Sequence, residues 1–239
     1  MLFSPSSISM FLTCPAKFWY YKKGYKPLEI KKELFDFSKK LHQAIALYYK
    51  AIPPNITAKE VDIYIINALQ RVTNLPYRKL SENVKFKRFI KYFSQFEKQR
   101  IKQITVKPLY VEKEYVREPF KGVIDAIFTD LNGNLIVVDW KTSLKSHLPD
   151  EYKIQGCIYG LLTEASEVIF YSLLTGKTIK ITRKDCLEVK EKIAKAIEDI
   201  KNGVNRKIKG KHCKDCEYQL ICGMDERKST LKIYEGVLI

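Results

Sequence analysis

The feature that most constrains this chain is a predicted β-hairpin with charged side chains inside apolar runs. Residues 122–128 and 135–141 are rich in Val, Ile and Phe, and they flank an Asn-Gly dipeptide, which is typical of a tight hairpin turn. Asp125 interrupts the first run, and Asp139 and Lys141 interrupt the second. A fold that buries this hairpin must pair these charges or bind them to a cation, because an isolated buried charge is costly.

The positions of the three charged residues predict a common site. Asp139 and Lys141 are two residues apart, so their side chains share one face of a strand. If the hairpin pairs as its turn suggests, Asp125 lies beside them. Two carboxylates and one ammonium at one point can hold a hard divalent cation and orient a water or a phosphoryl oxygen. The alternative is a surface ion pair on an edge strand, but a buried charge more often marks a functional site.

The charge of the chain indicates its partner. A net charge of +16 favours a polyanion, and nucleic acid fits this better than a membrane surface. A predicted helix from about Ser81 to Gln103 places Lys and Arg between phenylalanines, which favours phosphate contact over a merely solvated face. No apolar run approaches the ~20 residues that span a bilayer, and no signal peptide opens the chain. We therefore expect a soluble, cytoplasmic protein without a membrane partner.

Helices precede a sheet that is crossed by a helix, which predicts an α/β core with a helical insertion. We expect a helical region over 31–103 and the core over 104–202. The first expected helix lies within Ser4–Tyr21 and is interrupted by Pro15. The other expected elements are helices at about Glu33–Ala51, Thr57–Val72, Ser81–Gln103, Pro149–Leu162 and Lys184–Asn202, and strands at about Ile104–Val116, Glu167–Leu174 and Lys177–Thr182 beside the hairpin.

The six cysteines suggest metal or redox chemistry before disulfides in an intracellular protein. Cys213, Cys216 and Cys222 are spaced as three thiolate ligands, and a structural zinc or a cubane cluster requires four. The candidates for the fourth are Cys14, Cys157, Cys186 and His212. We favour Cys14, since it precedes a proline and lies beside aromatic residues. Cys157 falls on a helix where a thiol is more simply a core residue, and Cys186 has no evident partner.

These residues together resemble a known family. Gly122-x-x-Asp125 followed by Asp139-x-Lys141 resembles the active-site signature of the PD-(D/E)XK nucleases. With Cys14 near one end and the three cysteines near the other, nearly the whole chain resembles the iron–sulfur branch of the RecB-like nucleases, in particular the CRISPR-associated Cas-four exonuclease family.

Further positions fit that family. His42 resembles its upstream histidine, although the glycine that often precedes this histidine is missing. The spacing Gln155-x-x-x-Tyr159 resembles the motif that follows its lysine. Asp139 stands where many members have glutamate, a change that keeps the charge and shortens the side chain by one methylene.

The resemblance implies a PD-(D/E)XK (restriction-endonuclease-like) fold in one RecB-like domain over 1–239, in which 1–30 and 203–239 form an iron–sulfur module. It implies a single-stranded DNA exonuclease that processes DNA ends in CRISPR adaptation with integrase proteins as partners. The implied ligands of Mg²⁺ or Mn²⁺ are His42, Asp125, Asp139 and the Trp140 carbonyl, and those of a [4Fe-4S] cluster are Cys14, Cys213, Cys216 and Cys222. Lys141, Gln155 and Tyr159 are the implied catalytic residues.

Two other classes fit the residues. One is a viral or DNA-repair nuclease in which zinc takes the place of the cluster. The other is a DNA-binding assembly subunit with a vestigial nuclease site, against which the intact residues of the motif argue.

Overall fold

A five-stranded sheet with the strand order β1-β2-β3-β4-β5 forms the centre of the computed structural model, which describes residues 1–28, 32–102, 107–144 and 148–223. The strands are β1 (Tyr110–Arg117), β2 (Phe120–Thr129), β3 (Leu135–Lys141), β4 (Glu167–Ser172) and β5 (Thr178–Ile181). The helices are α1 (Pro5–Thr13), α2 (Pro15–Lys22), α3 (Lys32–Ala51), α4 (Val61–Thr73), α5 (Tyr77–Glu82), α6 (Val84–Arg100), α7 (Asp150–Thr163), α8 (Arg183–Lys201) and α9 (Gln219–Cys222), with a 3₁₀ turn at Lys211–Asp215.

The predicted hairpin and the α/β class are confirmed. Strands β2 and β3 pair antiparallel across the Asn-Gly turn, with Ala126 opposite Val138 and Thr129 opposite Leu135. Strand β4 runs parallel to β3, and α7 makes the crossover connection between them that parallel strands require. The two outer pairs, β1–β2 and β4–β5, are antiparallel.

Each face of the sheet is covered by helices that bury one apolar cluster. In the first cluster, side chains of α3, α4 and α6 pack on Ala126, Phe128 and Val138. In the second, side chains of α1, α2, α7 and α8 pack on Ile127 and Val137. Because adjacent strand residues point to opposite faces, the hairpin supplies both clusters, which explains why its runs show little apolar–polar alternation.

The predicted helix from about Ser81 to Gln103 is instead divided between α5 and α6. Asn83 separates them, and its side chain accepts hydrogen bonds from the backbone N–H groups of Lys85 and Phe86. The cap at Asn83 therefore starts a new helix, although the amphipathic spacing of the sequence continues through this position.

The predicted interruption of the N-terminal helix at Pro15 is confirmed, and it places Cys14 between two helices. Ser4 caps α1 by accepting a hydrogen bond from the Ser7 N–H, and Pro15 begins α2 at a position that suits proline. Cys14 lies between the two helices in an extended conformation. The helices on either side therefore fix the backbone position from which the Cys14 side chain projects.

Some expectations cannot be compared directly with the structure. The predicted start of β1 at Ile104 and residues 29–30 and 224–239 of the proposed module lie outside the described residues; within them, β1 begins at Tyr110. Among the described helices, none is long and apolar enough to cross a bilayer.

Cys157 on α7 and Cys186 on α8 form a disulfide, with their Cα atoms 5.3 Å apart. The preference for metal or redox chemistry over disulfides is wrong for this pair, and so is the view that Cys186 lacks a partner. The packing of α7 on α8 brings together two positions that are 29 residues apart in sequence. No local pattern reveals such a contact.

We expect Cys186→Ser to lower the free energy of unfolding by about 3 kcal/mol, because the disulfide closes a loop of this length and restricts the unfolded chain. Guanidinium denaturation with and without a dithiol reductant measures the effect. The reductant should destabilise the wild-type protein and leave Cys186→Ser unchanged. Equal stability of the oxidised wild type and the variant would show that the bond contributes nothing.

Candidate active site

The pairing of β2 is irregular at Asp125, and this irregularity builds the site. The β1–β2 register omits Glu112 and Asp125, and Glu112 has a φ of 49°, in the left-handed region. The β2–β3 ladder ends at Ala126 and Val138, one pair short of Asp125. Side-chain alternation shifts here as well, since Ile124 belongs to the second apolar cluster and Ala126 to the first. The pairing is therefore distorted at Asp125 without an extra residue in either strand, because one residue on each side is skipped and the register continues unchanged.

The Asp125 carboxylate bridges β3 and α3. Its Oδ2 accepts a hydrogen bond of 2.8 Å from the Trp140 backbone N–H, which the end of the ladder leaves available. Its Oδ1 lies 3.6 Å from Nδ1 of His42 on α3. Burial lowers the pKa of His42, but the Asp125 carboxylate outweighs it, so the pKa is raised above its usual value. The upstream histidine and the first carboxylate of the motif are therefore in contact.

Asp139, Lys141 and Gln155 form a second group beside the first. Asp139 is 3% exposed, and its Oδ1 accepts a hydrogen bond of 2.9 Å from Gln155 Nε2. The Lys141 Nζ lies 2.8 Å from Asp139 Oδ2 and donates a hydrogen bond of 2.9 Å to Gln155 Oε1. The prediction that Asp139 and Lys141 share a face is confirmed.

The charges of this group depend on each other. Burial raises the pKa of Asp139 to about 6, although the Lys141 ammonium opposes the shift. Burial lowers the pKa of Lys141, but the Asp139 carboxylate outweighs it, so this pKa is raised. Asp139 Oδ2 is buried and accepts no hydrogen bond of good geometry from the described residues, so its close contact with Lys141 is an ion pair without a directed hydrogen bond.

Tyr159 connects this network to the backbone of β2. Its hydroxyl accepts a hydrogen bond of 2.8 Å from Gln155 Nε2 and donates one of 3.1 Å to the Val123 carbonyl. A Cβ at Gly122 would lie 3.1 Å from the Tyr159 ring, closer than most such contacts. The glycine of the Gly122-x-x-Asp125 motif therefore lets the Tyr159 ring pack against the strand.

A cleft of about 640 Å³ opens beside this network. One wall comes from α1 and α2 and the other from β2, β3 and α7; the lining includes Ser6, Ser9, Lys17, Lys141, Gln155 and Tyr159. The motif residues thus form two adjacent groups, His42 with Asp125 and Asp139 with Lys141, Gln155 and Tyr159, and the last three residues line the cleft. The sequence did not predict that α1 lines the cleft, because the hydroxyl groups on this helix match no motif.

The four cysteines outside the disulfide line a second, smaller cavity: Cys14, Cys213, Cys216 and Cys222. Tyr20 and His212 also contribute to its lining. Cys14 is buried, and burial raises the pKa of the Cys216 thiol. The Gly210 N–H points at Cys213 Sγ at 3.4 Å. The structure therefore brings together all four cysteines expected to be ligands.

Contacts between α2 and the C-terminal segment surround this cavity. Trp19 Nε1 donates a hydrogen bond of 2.8 Å to the Val204 carbonyl, and the Ala16 N–H donates one of 3.1 Å to the Arg206 carbonyl. Lys17 forms an ion pair of 2.9 Å with Glu217 and lines both the cavity and the cleft. The wall of the cleft is therefore anchored to the segment that carries three of the cysteines.

Over the part of the chain that the structure describes, no three His, Cys, Asp or Glu side chains approach closely enough to form a metal-binding group. The assignments of metal and cluster ligands, including the Trp140 carbonyl, therefore stay predictions.

The structure places two carboxylates and a lysine on a mixed sheet beside an open cleft. The family model of the PD-(D/E)XK nuclease superfamily matches residues 2–223, and the chain belongs to this superfamily. Its members are nucleases that act on DNA with divalent metals such as Mg²⁺ and Mn²⁺.

Likenesses to individual proteins are weaker. No curated protein matches this sequence. One solved structure, described as "Crystal structure of SSO0001", is similar, with 17% identity over 79% of this chain and 96% of the other and a TM-score of 0.36. A likeness at this level says nothing about activity.

Proposed function

We propose that this protein is a Mg²⁺- or Mn²⁺-dependent exonuclease of single-stranded DNA that carries a [4Fe-4S] cluster. The observation that carries the proposal is the adjacency of two pairs, His42 with Asp125 and Lys141 with Asp139, which the hydrogen bond from the Trp140 N–H to Asp125 links through the backbone of β3. The resemblance to the Cas-four family supports a role in CRISPR adaptation, in which DNA ends are processed before integration.

The donor set fits a hard divalent cation. Asp125 and Asp139 offer carboxylate oxygens, His42 offers an imidazole, and these are ligand types that Mg²⁺ and Mn²⁺ accept. The buried Oδ2 of Asp139 lacks a directed hydrogen bond, and burial raises the pKa of this carboxyl. A bound cation supplies positive charge that makes a water more acidic and offsets negative charge developing on the scissile phosphate.

The proposed role of Lys141 follows from how its ammonium is held. Asp139 and Gln155 engage it at 2.8 and 2.9 Å, so its position is fixed before substrate arrives. A preorganised cation of this kind orients the attacking water and stabilises the oxyanion without reorganising during the reaction. Gln155 uses its amide group to hold Asp139, Lys141 and Tyr159, which makes it a positioning residue as well as a candidate contact to the scissile strand.

The cleft suits one strand of nucleic acid. Hydroxyl groups of Ser6 and Ser9 and the Lys17 side chain line the wall opposite Lys141, and such groups commonly contact phosphate and sugar oxygens. Basic residues of α6, including the exposed Lys87 and Lys91, add to the positive charge of the chain. We infer that single-stranded or frayed DNA ends are the substrate.

The cysteine cavity fits a cubane cluster in its donor chemistry. Four thiols are the usual ligand set of a [4Fe-4S] centre, and the N–H group aimed at Cys213 Sγ is the kind of hydrogen bond that tunes such centres. A cluster there would bind residues of both chain ends and so contribute to folding. Zinc with the same four thiols is the competing occupant. Iron quantification and the visible absorbance spectrum of the purified protein distinguish them.

The proposed activity is tested with end-labelled linear and circular single-stranded DNA in Mg²⁺, Mn²⁺ or excess EDTA. We expect linear DNA to be degraded only with a divalent metal and circular DNA to resist. Lys141→Ala should lower the cleavage rate by roughly 10²- to 10³-fold, the scale for one preorganised stabilising group, and should still bind the metal.

Lys195→Ala is the matched control, because this lysine lies exposed on α8 in an ion pair with Asp199. It should cleave DNA at the wild-type rate. Normal cleavage by Lys141→Ala, or equal cleavage with and without metal, contradicts the proposed function.

A further inference from the structure

The ammonium of Lys141 lies against two aromatic rings. Its Nζ is 5.3 Å from the centroid of the Phe170 ring and 5.8 Å from that of the Tyr152 ring. The two rings stack on each other, with centroids 5.2 Å apart and planes inclined by 27°. Phe170 is fully buried, and Tyr152 is 8% exposed and lines the cleft.

Two different elements build this aromatic pair. Phe170 on β4 lies opposite Asp139 in the parallel β3–β4 register, so its ring is fixed beside the carboxylate. Tyr152 lies in the first turn of α7, three residues before Gln155. Helix α7 therefore supplies both a polar partner of Lys141, Gln155, and one of its aromatic neighbours, Tyr152.

The surroundings of the ammonium are complementary to its charge. On one side Gln155 accepts a hydrogen bond from the ammonium and Asp139 forms an ion pair with it, and two aromatic rings, whose faces carry negative potential, lie within cation–π distance. A long lysine side chain beside an open cleft otherwise has many rotamers, and a fixed position costs rotamer entropy. Aliphatic residues would fill the same volume but would not attract the ammonium.

We propose that Tyr152 and Phe170 form an aromatic platform that positions the Lys141 ammonium for phosphodiester cleavage. The inference rests on the proposed nuclease function and assigns positioning roles to two residues that lie outside the motif. The platform acts through Lys141 and does not itself contact the scissile phosphate. Its loss should therefore change the rate of the chemical step and leave DNA affinity nearly unchanged.

The test compares Tyr152→Leu with Tyr152→Phe in single-turnover cleavage of linear single-stranded DNA with Mn²⁺. We expect Tyr152→Leu to lower the maximal rate by roughly 3- to 30-fold with little change in the half-saturating DNA concentration, the range expected for one cation–π contact. Tyr152→Phe keeps the ring and should recover most of that loss. Tyr77→Leu, at an exposed tyrosine of α5, is the matched control and should behave as wild type.

A double-mutant cycle with Lys141→Ala shows whether the platform acts through the lysine. If it does, Tyr152→Leu has no further effect once Lys141 is absent. An equal loss of rate in both backgrounds, or an equal loss in Tyr152→Leu and Tyr152→Phe, overturns the platform. If Lys141→Ala alone cleaves at the wild-type rate, the proposed nuclease function fails instead, so the two failures are distinguishable. Melting temperatures of all variants show whether any loss of rate reflects loss of fold.

Discussion

Asp139→Asn is expected to abolish DNA cleavage, with a fall of roughly 10³-fold or more, while the protein stays folded and binds DNA. Asp139 is buried and pairs with Lys141, and the proposed cation would be held mainly by this carboxylate and that of Asp125. Neutralising either one removes several kcal/mol of charge stabilisation from the transition state. Asp125→Asn should therefore be equally inactive.

Asparagine is a better replacement than alanine because it keeps the shape of the side chain. Both substitutions remove the counter-ion of Lys141, but Asp139→Ala would also leave a cavity and remove the oxygen that accepts the Gln155 hydrogen bond, which destabilises the protein for reasons unrelated to the metal. Asp199→Asn, a carboxylate on α8 paired with Lys195, is the matched control.

The measurements are cleavage of linear single-stranded DNA in Mg²⁺ or Mn²⁺, metal affinity by calorimetry and melting temperature. The Asp125 and Asp139 variants should lose metal affinity together with activity, whereas Lys141→Ala should lose activity alone. Full activity in either aspartate variant would overturn the assignment of a two-carboxylate active site. Lost metal affinity in Lys141→Ala with normal cleavage would reverse the roles of lysine and aspartate.

The sequence predicted the part of the site that lies on the β2–β3 hairpin, because local patterns specify a hairpin. An Asn-Gly turn between two apolar runs determines the hairpin, and the two-residue strand period places Asp139 and Lys141 on one face. The irregular pairing at Asp125 was not predictable, because the polar contact of its carboxylate with the Trp140 N–H exists only once the ladder has ended. A two-residue period describes regular pairing and carries no sign of such an irregularity.

The contacts between distant segments were predictable only by resemblance. His42 reaches Asp125 from α3, across 83 positions of sequence, and no periodicity relates the two. The disulfide of Cys157 and Cys186 and the aromatic pair of Tyr152 and Phe170 arise in the same way from packing between elements. Helix ends were missed where one polar side chain, such as that of Asn83, caps a new helix within an amphipathic pattern.

The second large expected effect is the result of replacing a cysteine of the cavity, which should change both the colour and the stability of the protein. Cys14→Ser should abolish the visible absorbance and most of the bound iron, because the buried Cys14 is the only proposed ligand from the N-terminal segment. A serine hydroxyl is a poor substitute for a thiolate in such a centre. The melting temperature should fall nearly as far as in Cys213→Ser, since both variants remove the bond between the chain ends.

The surrounding contacts set the size of this effect. The hydrogen bond from Trp19 to Val204 and the ion pair of Lys17 with Glu217 persist without a cluster, so we expect a destabilised protein and not an unfolded one. Because α1 and α2 form one wall of the cleft, DNA affinity should fall together with the iron content.

Cys186→Ser provides the control that separates the two outcomes. Cys186→Ser should lower stability through the lost disulfide and keep the iron and the colour. Cys14→Ser should lower stability and also lose the iron and the colour. Metal analysis of the purified proteins, the visible spectrum and thermal denaturation make the comparison. Full iron content and an unchanged melting temperature in Cys14→Ser would show that the cavity holds no cluster bound by Cys14. Stoichiometric zinc without iron in the wild-type protein would assign the four thiols to the competing metal.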